Sequence, residues 1–151
     1  MLSNDILMRM TSSRQAKLAY SLKQFIRDDY SLAVFKNGQL FFSSCEHNLR
    51  PLAKFILKHG WSHKNLIMFD KYIGRAAALL IVDLHLSKLY TPIISKSAIP
   101  VLRSKRINYV AYKKVDHLMG IASQSTCEWE KMSFGKNTAS FWRLVKKRLV
   151  R

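Results

Sequence analysis

The sequence predicts an α/β fold, a three-layer α/β/α sandwich around a mixed five-stranded sheet. Two short apolar runs within residues 31–43 are joined by Asn37-Gly38, which is the strongest short signal of an antiparallel hairpin. Residues 65–69, NLIMF, form an almost continuous apolar run, typical of a strand that is covered on both faces. From there on, helical and strand patterns alternate, which implies crossovers and a largely parallel sheet. A chain of 151 residues fits one such domain.

The first half of the chain supplies two helices beside the hairpin. Residues 13–28 show apolar side chains at helical spacing, and Ser12 or Ser13 can cap their start. The stripe expected to be buried consists of Leu18, Leu22, Phe25 and Ile26. In the second helix, Pro51 fits the first turn and Gly60 can end the helix in the left-handed conformation.

The second half of the chain has weaker signals toward its end. In chain order, the predicted elements are a helix at 73–84, a strand at 87–95, a short helix at 95–105, a strand at 107–114, a short helix and then a polar loop at 116–132, and an amphipathic helix at 140–151. Pro92 should stop regular pairing in its strand, because it has no N–H to donate. We expect residues 1–132 to form the domain and residues 133–151 to form a basic, helical C-terminal tail.

The charge is strongly positive, with 26 Lys and Arg against nine Asp and Glu and a net charge of +17. Such a charge attracts polyanions, so nucleic acid is one expected partner, and a charged surface that serves solubility is the alternative. The aromatic residues that could stack on bases are Tyr30, Trp129, Phe134, Phe141 and Trp142. No apolar run is long enough to span a membrane, and the N-terminus lacks the pattern of a signal peptide. We therefore expect a cytoplasmic protein without a membrane partner, whose Cys45 and Cys127 are free thiols.

Several segments resemble a small family of uncharacterised bacterial and archaeal proteins, the domain of unknown function DUF1893. They are YSLAVFKNGQLFFSS, LRPLAKFI, DKYIGRAAALLI, IISKSAIPVL and the region of Cys127, in the family's order and spacing over about residues 13–132. The resemblance implies a cytidine deaminase-like fold. Zinc deaminases carry H-x-E at the start of one core helix and P-C-x-x-C at the next. At these places the chain has Gly74-Arg75-Ala76 and Ser95-Lys96-Ser97, so we predict no zinc, no other cofactor and no deamination.

A cluster of charged residues at the predicted strand end 68–71 and helix start 73–76 is the candidate binding site. The expected ligand-binding residues are Asp70, Lys71, Gly74, Arg75, Ser95 and Ser97. Open α/β sheets bind ligands outside the carboxyl ends of their strands, and N–H groups at a helix start favour an anion. We therefore expect a small anionic ligand, nucleotide-like or phosphate-bearing. In the alternative, Asp70 caps a turn and the basic side chains are only solvated.

Cys127 is a weaker, catalytic candidate, because a cysteine nucleophile needs nearby positive charge and a base. His117 is the candidate base, while Glu128 disfavours the thiolate. An incidental thiol is the alternative interpretation. The sequence thus leaves three functions open: binding of a small anion, association with nucleic acid, and catalysis that depends on Cys127.

Overall fold

The computed structural model describes residues 18–119 and 127–149, and within them it contains six helices and six strands. The helices are α1 (Leu22–Asp28), α2 (Arg50–His59), α3 (Arg75–Ile81), α4 (Ala98–Ser104), α5 (Glu128–Ser133) and α6 (Thr138–Leu149). The strands are β1 (Leu32–Lys36), β2 (Gln39–Ser44), β3 (Leu66–Asp70), β4 (Tyr72–Ile73), β5 (Lys88–Ser95) and β6 (Tyr109–Val115).

The strands form one mixed sheet. β1 pairs antiparallel with both β2 and β3, whereas β3, β4 and β6 all run parallel to β5. β3 pairs with residues 88–90 of β5, and β4 pairs with residues 93–94. These two strands therefore follow each other along one side of β5, and β6 pairs along the other side. Six strands therefore fill five positions across the sheet. This confirms the predicted mixed sheet and its antiparallel hairpin.

The turn between β1 and β2 explains why the hairpin was predictable. Asn37 has φ 52° and Gly38 has φ 79°, and a tight primed turn requires positive φ at both central residues. Lys36 and Gln39 close the turn as register partners. The local sequence therefore determines this part of the fold.

Pro92 does not end β5, contrary to the expectation that regular pairing stops there. The Thr91 hydroxyl accepts a hydrogen bond from Ile93 N at 3.2 Å and donates to Ile93 O at 2.9 Å. These contacts link the two residues that flank the proline. The missing N–H of Pro92 interrupts the pairing of β5 without ending the strand. On one side of β5, β3 pairs before the proline and β4 pairs after it.

The two faces of the sheet carry cores of unequal size. On one face α1 packs against Ala33, Phe35 and Phe69. The opposite face, which includes Leu32 and Val34, is covered by the larger core to which α2, α3, α4 and α6 contribute. Successive β1 residues alternate between the two cores, as side chains in a strand must. The arrangement is that of an α/β sandwich, with most of its helices on one face.

Two predicted helices differ from those observed. α1 begins at Leu22, where the Ser21 hydroxyl accepts from Gln24 N at 3.1 Å; part of the predicted helix, residues 13–17, and both predicted cap residues lie outside the described chain. Ile26 is 49% exposed rather than buried, because this two-turn helix contacts the sheet through Leu22 and Phe25 and leaves the flank of its stripe uncovered. α3 is shorter than predicted, since residues 72–73 extend beside β5 as β4.

The segment after β6 also differs from the prediction. Residues 116–119 are not helical, residues 120–126 lie outside the described chain, and the helix of this segment is α5, at residues 128–133. The cause is packing, because α5 buries Glu130 and Ser133 against the start of α3.

The basic C-terminal segment is part of the core. Phe141 and Val145 of α6 are fully buried, and the Thr138 hydroxyl donates to Leu79 O in α3 at 2.5 Å. The segment therefore folds with the rest of the domain instead of standing apart from it as a tail. Across residues 18–119 and 127–149, no helix is long and apolar enough to span a bilayer.

Candidate ligand-binding site

A cavity of about 670 Å³ opens at the edge of the sheet where the parallel strands end. The carboxyl ends of β3 to β6 meet there because these strands are parallel. β1 begins and β2 ends at the same edge, since Leu32 pairs with both Asp70 and Ser44. This is the edge at which open α/β sheets bind ligands. The sequence-based argument therefore points to the part of the molecule that contains the cavity.

The cavity has an apolar floor and a polar rim. Its buried lining includes Leu32, Leu49, Leu52, Ala76 and Ala77. Its exposed lining includes Asp29, Cys45, His47, Tyr72 and His117, and the half-exposed Lys71 lies with them. Such a combination suits a small molecule with an apolar body and one or two polar groups.

Asp70, the last residue of β3, contributes a carboxyl group to this cavity. Its Oδ1 accepts from Tyr72 N at 3.3 Å, and burial raises the pKa of the carboxyl to about 7. Burial outweighs the backbone N–H groups of Tyr72 and Lys71, which act to lower the pKa. Near neutral pH, Asp70 can therefore both donate and accept a hydrogen bond.

Lys71 lies at the rim, where its Nζ is 3.2 Å from Asp29 Oδ1. Both side chains are exposed, so solvent weakens this ion pair and it contributes little to folding. Lys71 is accordingly available to exchange Asp29 for another anion.

Glu130 occupies the helix start that the sequence suggested for a ligand's anion. Its carboxylate, 1% exposed, accepts from Arg75 N with Oε1 at 3.0 Å and with Oε2 at 3.2 Å. The hydroxyls of Ser95, at 3.3 Å, and Ser97 also donate to Oε1. The anion at this position is thus supplied by the protein itself, from α5.

The two residues at the start of α3 adapt to Glu130. A Cβ added to Gly74 would collide with the Glu130 carboxylate and would lie 2.8 Å from Leu118 Cδ1, so a side chain is excluded there. Arg75 directs its guanidinium away from the cavity: Nε donates to Ser133 O at 3.4 Å and Nη2 donates to Lys136 O at 3.3 Å. Arg75 therefore holds the end of α5 while its backbone holds Glu130.

The six predicted site residues thus divide into two groups. Asp70, Lys71 and Gly74 line the cavity, whereas Arg75 and the two serines are used in fixing α5. Glu130 was not among the predicted site residues, although it follows Cys127 closely in the sequence. A weak signal was present, since Glu130 and Ser133 are three apart on one helical face, and both are buried.

The donors that meet between the starts of α3 and α4 do not fit a zinc site. They are two hydroxyls and one amide N–H around the single carboxylate of Glu130, whereas a zinc site in a protein takes three or four thiolate, imidazole or carboxylate ligands. Elsewhere in the described chain, no group of three or more His, Cys, Asp or Glu side chains is placed to hold a metal ion.

Cys127 also lines the cavity, directly before α5. Its N–H donates to Leu118 O at 2.8 Å, which brings it beside the segment that carries His117. Its thiol is free and half-buried, and Cys45 at the rim is free and exposed. The fold thus brings two cysteines to one cavity although they are far apart in sequence.

Comparisons with known proteins identify the family and support the fold. A sequence model described as "Domain of unknown function (DUF1893)" matches residues 21–149, and so includes α6, which the sequence analysis had left outside the resemblance. The crystal structure of a DUF1893 family protein from Thermotoga maritima superposes with a TM-score of 0.76 at 21% identity, covering 98% of this chain and 92% of that one. No curated protein matches the chain. Because the family's sequence model matches most of this chain, the chain belongs to the DUF1893 family, a domain of unknown function.

Proposed function

We propose that the protein binds a small molecule with an apolar body and an anionic group in the cavity at the carboxyl edge of the sheet. The observation that carries the proposal is the cavity itself, about 670 Å³, with buried aliphatic walls and a charged rim. Its volume falls within the range of roughly 300–1,000 Å³ that is usual for ligand pockets. The apolar body would lie against Leu32, Leu52 and Ala77.

The anionic group of the ligand would bind at the rim and not at the start of α3. The first N–H of α3 is already engaged by Glu130, so it offers little to a ligand. Lys71 is exposed at the rim beside His47 and His117, and the net charge of +17 favours the arrival of an anion. A nucleotide-like or phosphate-bearing molecule fits this division, with its base or other ring inside and its phosphate at the rim.

Asp70 would recognise a polar atom on the body of the ligand. Its carboxyl is held in the cavity wall, and a pKa of about 7 allows it to donate to a ring nitrogen or to accept from a hydroxyl. This is hydrogen-bond recognition, which requires no bond to be made or broken. Binding without zinc-dependent deamination is therefore the function that these residues support best.

The test is a thermal-shift screen of nucleoside monophosphates, sugar phosphates and small carboxylates, followed by calorimetry on each compound that stabilises the protein. Lys71→Met should weaken binding about three- to tenfold, since one charge-assisted contact is lost. Lys113→Met on β6 removes the same charge outside the cavity and should leave the affinity unchanged. Cys45→Trp should obstruct the rim without touching the core. The proposal is wrong if no compound binds, or if affinity is insensitive to both Lys71→Met and Cys45→Trp.

Thiol catalysis is a second candidate, favoured by the shared position of Cys127 and His117 at this cavity. It predicts that iodoacetamide modifies Cys127 faster than Cys45 at pH 7, and that His117→Ala slows the reaction at Cys127 alone. Equal rates at the two cysteines, with no effect of His117→Ala, would exclude an activated thiol.

A further inference from the structure

β6 forms an exposed edge of the sheet and combines bases with uncovered aromatic and aliphatic side chains. Within the described chain, β6 pairs with β5 alone. Val110 is 37% exposed and Tyr112 is 57% exposed, and Lys113 and Lys114 beside them are exposed as well. An edge of this composition differs from an ordinary solvated strand, because large side chains and positive charge occur together.

Positive charge lies before β6 and at its C-terminal end. Residues 103–114 contain five bases and no acid. Before β6, a concavity of about 300 Å³ is lined by residues that include His85, Lys105 and Arg106, together with Asp83. After β6, Asp116 is paired with Lys96 at 2.5 Å, so it does not neutralise Lys113 or Lys114 in that contact. Basic residues therefore lie at both ends of the strand, with Val110 and Tyr112 between them.

The exposed side chains of β6 continue a face of the sheet that α1 covers only in part. Val110 is the register partner of Tyr90, which packs against the core under α1. Tyr112 lies two residues further along and so projects on the same side as Val110. Lys88 joins the row, with its Nζ 2.9 Å from Asn108 Oδ1 and 5.9 Å from the centroid of the Tyr90 ring.

We propose that β6 and its flanks, residues 103–114, bind single-stranded nucleic acid. Lys105 and Arg106 at one end and Lys114, which projects on the same side as Tyr112, at the other would contact phosphates, and Tyr112 would stack on a base. Single-strand binding combines these two elements, a basic track and aromatic platforms. Seven strand residues extend over roughly 23 Å, which is long enough for several nucleotides. The surface lies apart from the proposed ligand cavity and does not depend on it.

This surface differs from the aromatic residues that the sequence suggested for stacking. Phe141 is fully buried, the Trp129 ring packs 6.4 Å from that of Phe141, and the Trp142 ring packs 5.3 Å from that of Trp61. These side chains stabilise the core instead of presenting a platform.

A second copy of the chain is a less suitable occupant of this edge. Pairing two β6 strands would bring Lys113 and Lys114 of both copies together, and lysines on edge strands are a known means of preventing such pairing. The same lysines could serve only that protective purpose, and an acidic peptide would also be attracted by them. Stacking on Tyr112 is what distinguishes nucleic acid from these alternatives.

The test uses fluorescence anisotropy of the full chain with fluorescein-labelled 12-nucleotide oligo(U) and oligo(dT), from 50 to 300 mM KCl. Lys114→Gln should flatten the slope of log affinity against log salt by roughly 0.7, since one phosphate contact is lost. The matched control, Lys58→Gln, removes one exposed lysine outside β6 and should keep the slope. Tyr112→Ala should weaken binding roughly tenfold, while Tyr112→Phe should restore it.

Three outcomes would overturn the proposal. In the first, Lys114→Gln and Lys58→Gln change the slope equally, which would indicate diffuse charge. In the second, Tyr112→Ala binds as the wild type does and polyglutamate competes as well as oligo(U), which would indicate a general polyanion surface. In the third, the lysine variant of β6 forms dimers in light scattering while its nucleic-acid binding is unchanged, which would assign the lysines to edge protection.

Discussion

Glu130 and Arg75, 55 positions apart in the chain, are joined by two hydrogen bonds from one backbone N–H to the two oxygens of one carboxylate, at 3.0 and 3.2 Å. With the serine hydroxyls of residues 95 and 97, this contact ties α5 to the starts of α3 and α4. The amide N–H groups at a helix start and the helix dipole favour a carboxylate at this position. The same physical preference led the sequence analysis to expect a ligand's anion there.

The first prediction concerns Glu130 and stability. Glu130→Ala leaves the Arg75 N–H and two hydroxyls without their acceptor in a buried place, so we expect a loss of about 3–5 kcal/mol in the free energy of unfolding. Glu130→Gln retains one acceptor oxygen and should cost less, roughly 1–2 kcal/mol. Urea unfolding measures both, with the exposed Glu128→Gln as the control. Equal stability of Glu130→Ala and wild type would show that α5 is not held by this residue.

The second prediction concerns Gly74, whose backbone is extended and would accept any residue. Gly74→Ala should destabilise the protein by about 2–3 kcal/mol, because the added Cβ collides with the Glu130 carboxylate. In a Glu130→Ala background the carboxylate is gone, so the same substitution should cost much less. A double-mutant cycle from urea titrations measures the coupling, and strictly additive effects would contradict the predicted collision.

The third prediction concerns pH and Asp70. Its pKa rises from 3.8 in the unfolded chain to about 7 in the fold, so the folded state binds the extra proton between these values. Stability from this group is therefore fully present below pH 4 and declines as pH rises toward 7. Asp70→Asn removes the titration, and its stability relative to wild type should increase by about 2 kcal/mol between pH 5 and pH 8. Unfolding titrations at unit pH steps check this, and a constant difference would show that Asp70 keeps an ordinary pKa.

The fourth prediction concerns α6 as part of the core. Phe141→Ala should cost about 3–5 kcal/mol, since its side chain is fully buried. Lys147→Ala on the exposed side of the same helix should change stability by no more than about 0.5 kcal/mol. Deletion of residues 133–151 should yield a chain without a cooperative thermal transition. A deletion variant that keeps the wild-type thermal transition would show that residues 133–151 form a separate tail.

Local sequence determined those elements whose signals are local. Asn37-Gly38 specified a hairpin because few residues tolerate positive φ, and the apolar run at 65–69 specified a strand because both of its faces are covered. Alternation of helices and strands then required parallel crossovers, which placed Asp70 and Lys71 at the carboxyl end of the parallel strands, where the cavity lies. The fold class and the location of the cavity were therefore accessible from the order of the residues.

Tertiary structure alone decided which carboxylate accepts the hydrogen bond from the first N–H of α3. The start of a helix favours a carboxylate whether it comes from a ligand or from the chain itself. The sequence therefore predicts that an anion binds there, but it does not show that the anion is Glu130. Glu130 reaches Arg75 because α5 packs on α3, and Phe141 is core because α6 packs across the same layer. Contacts of this kind depend on elements far apart in the chain, and the free energy that selects them arises from burial after the sheet has formed.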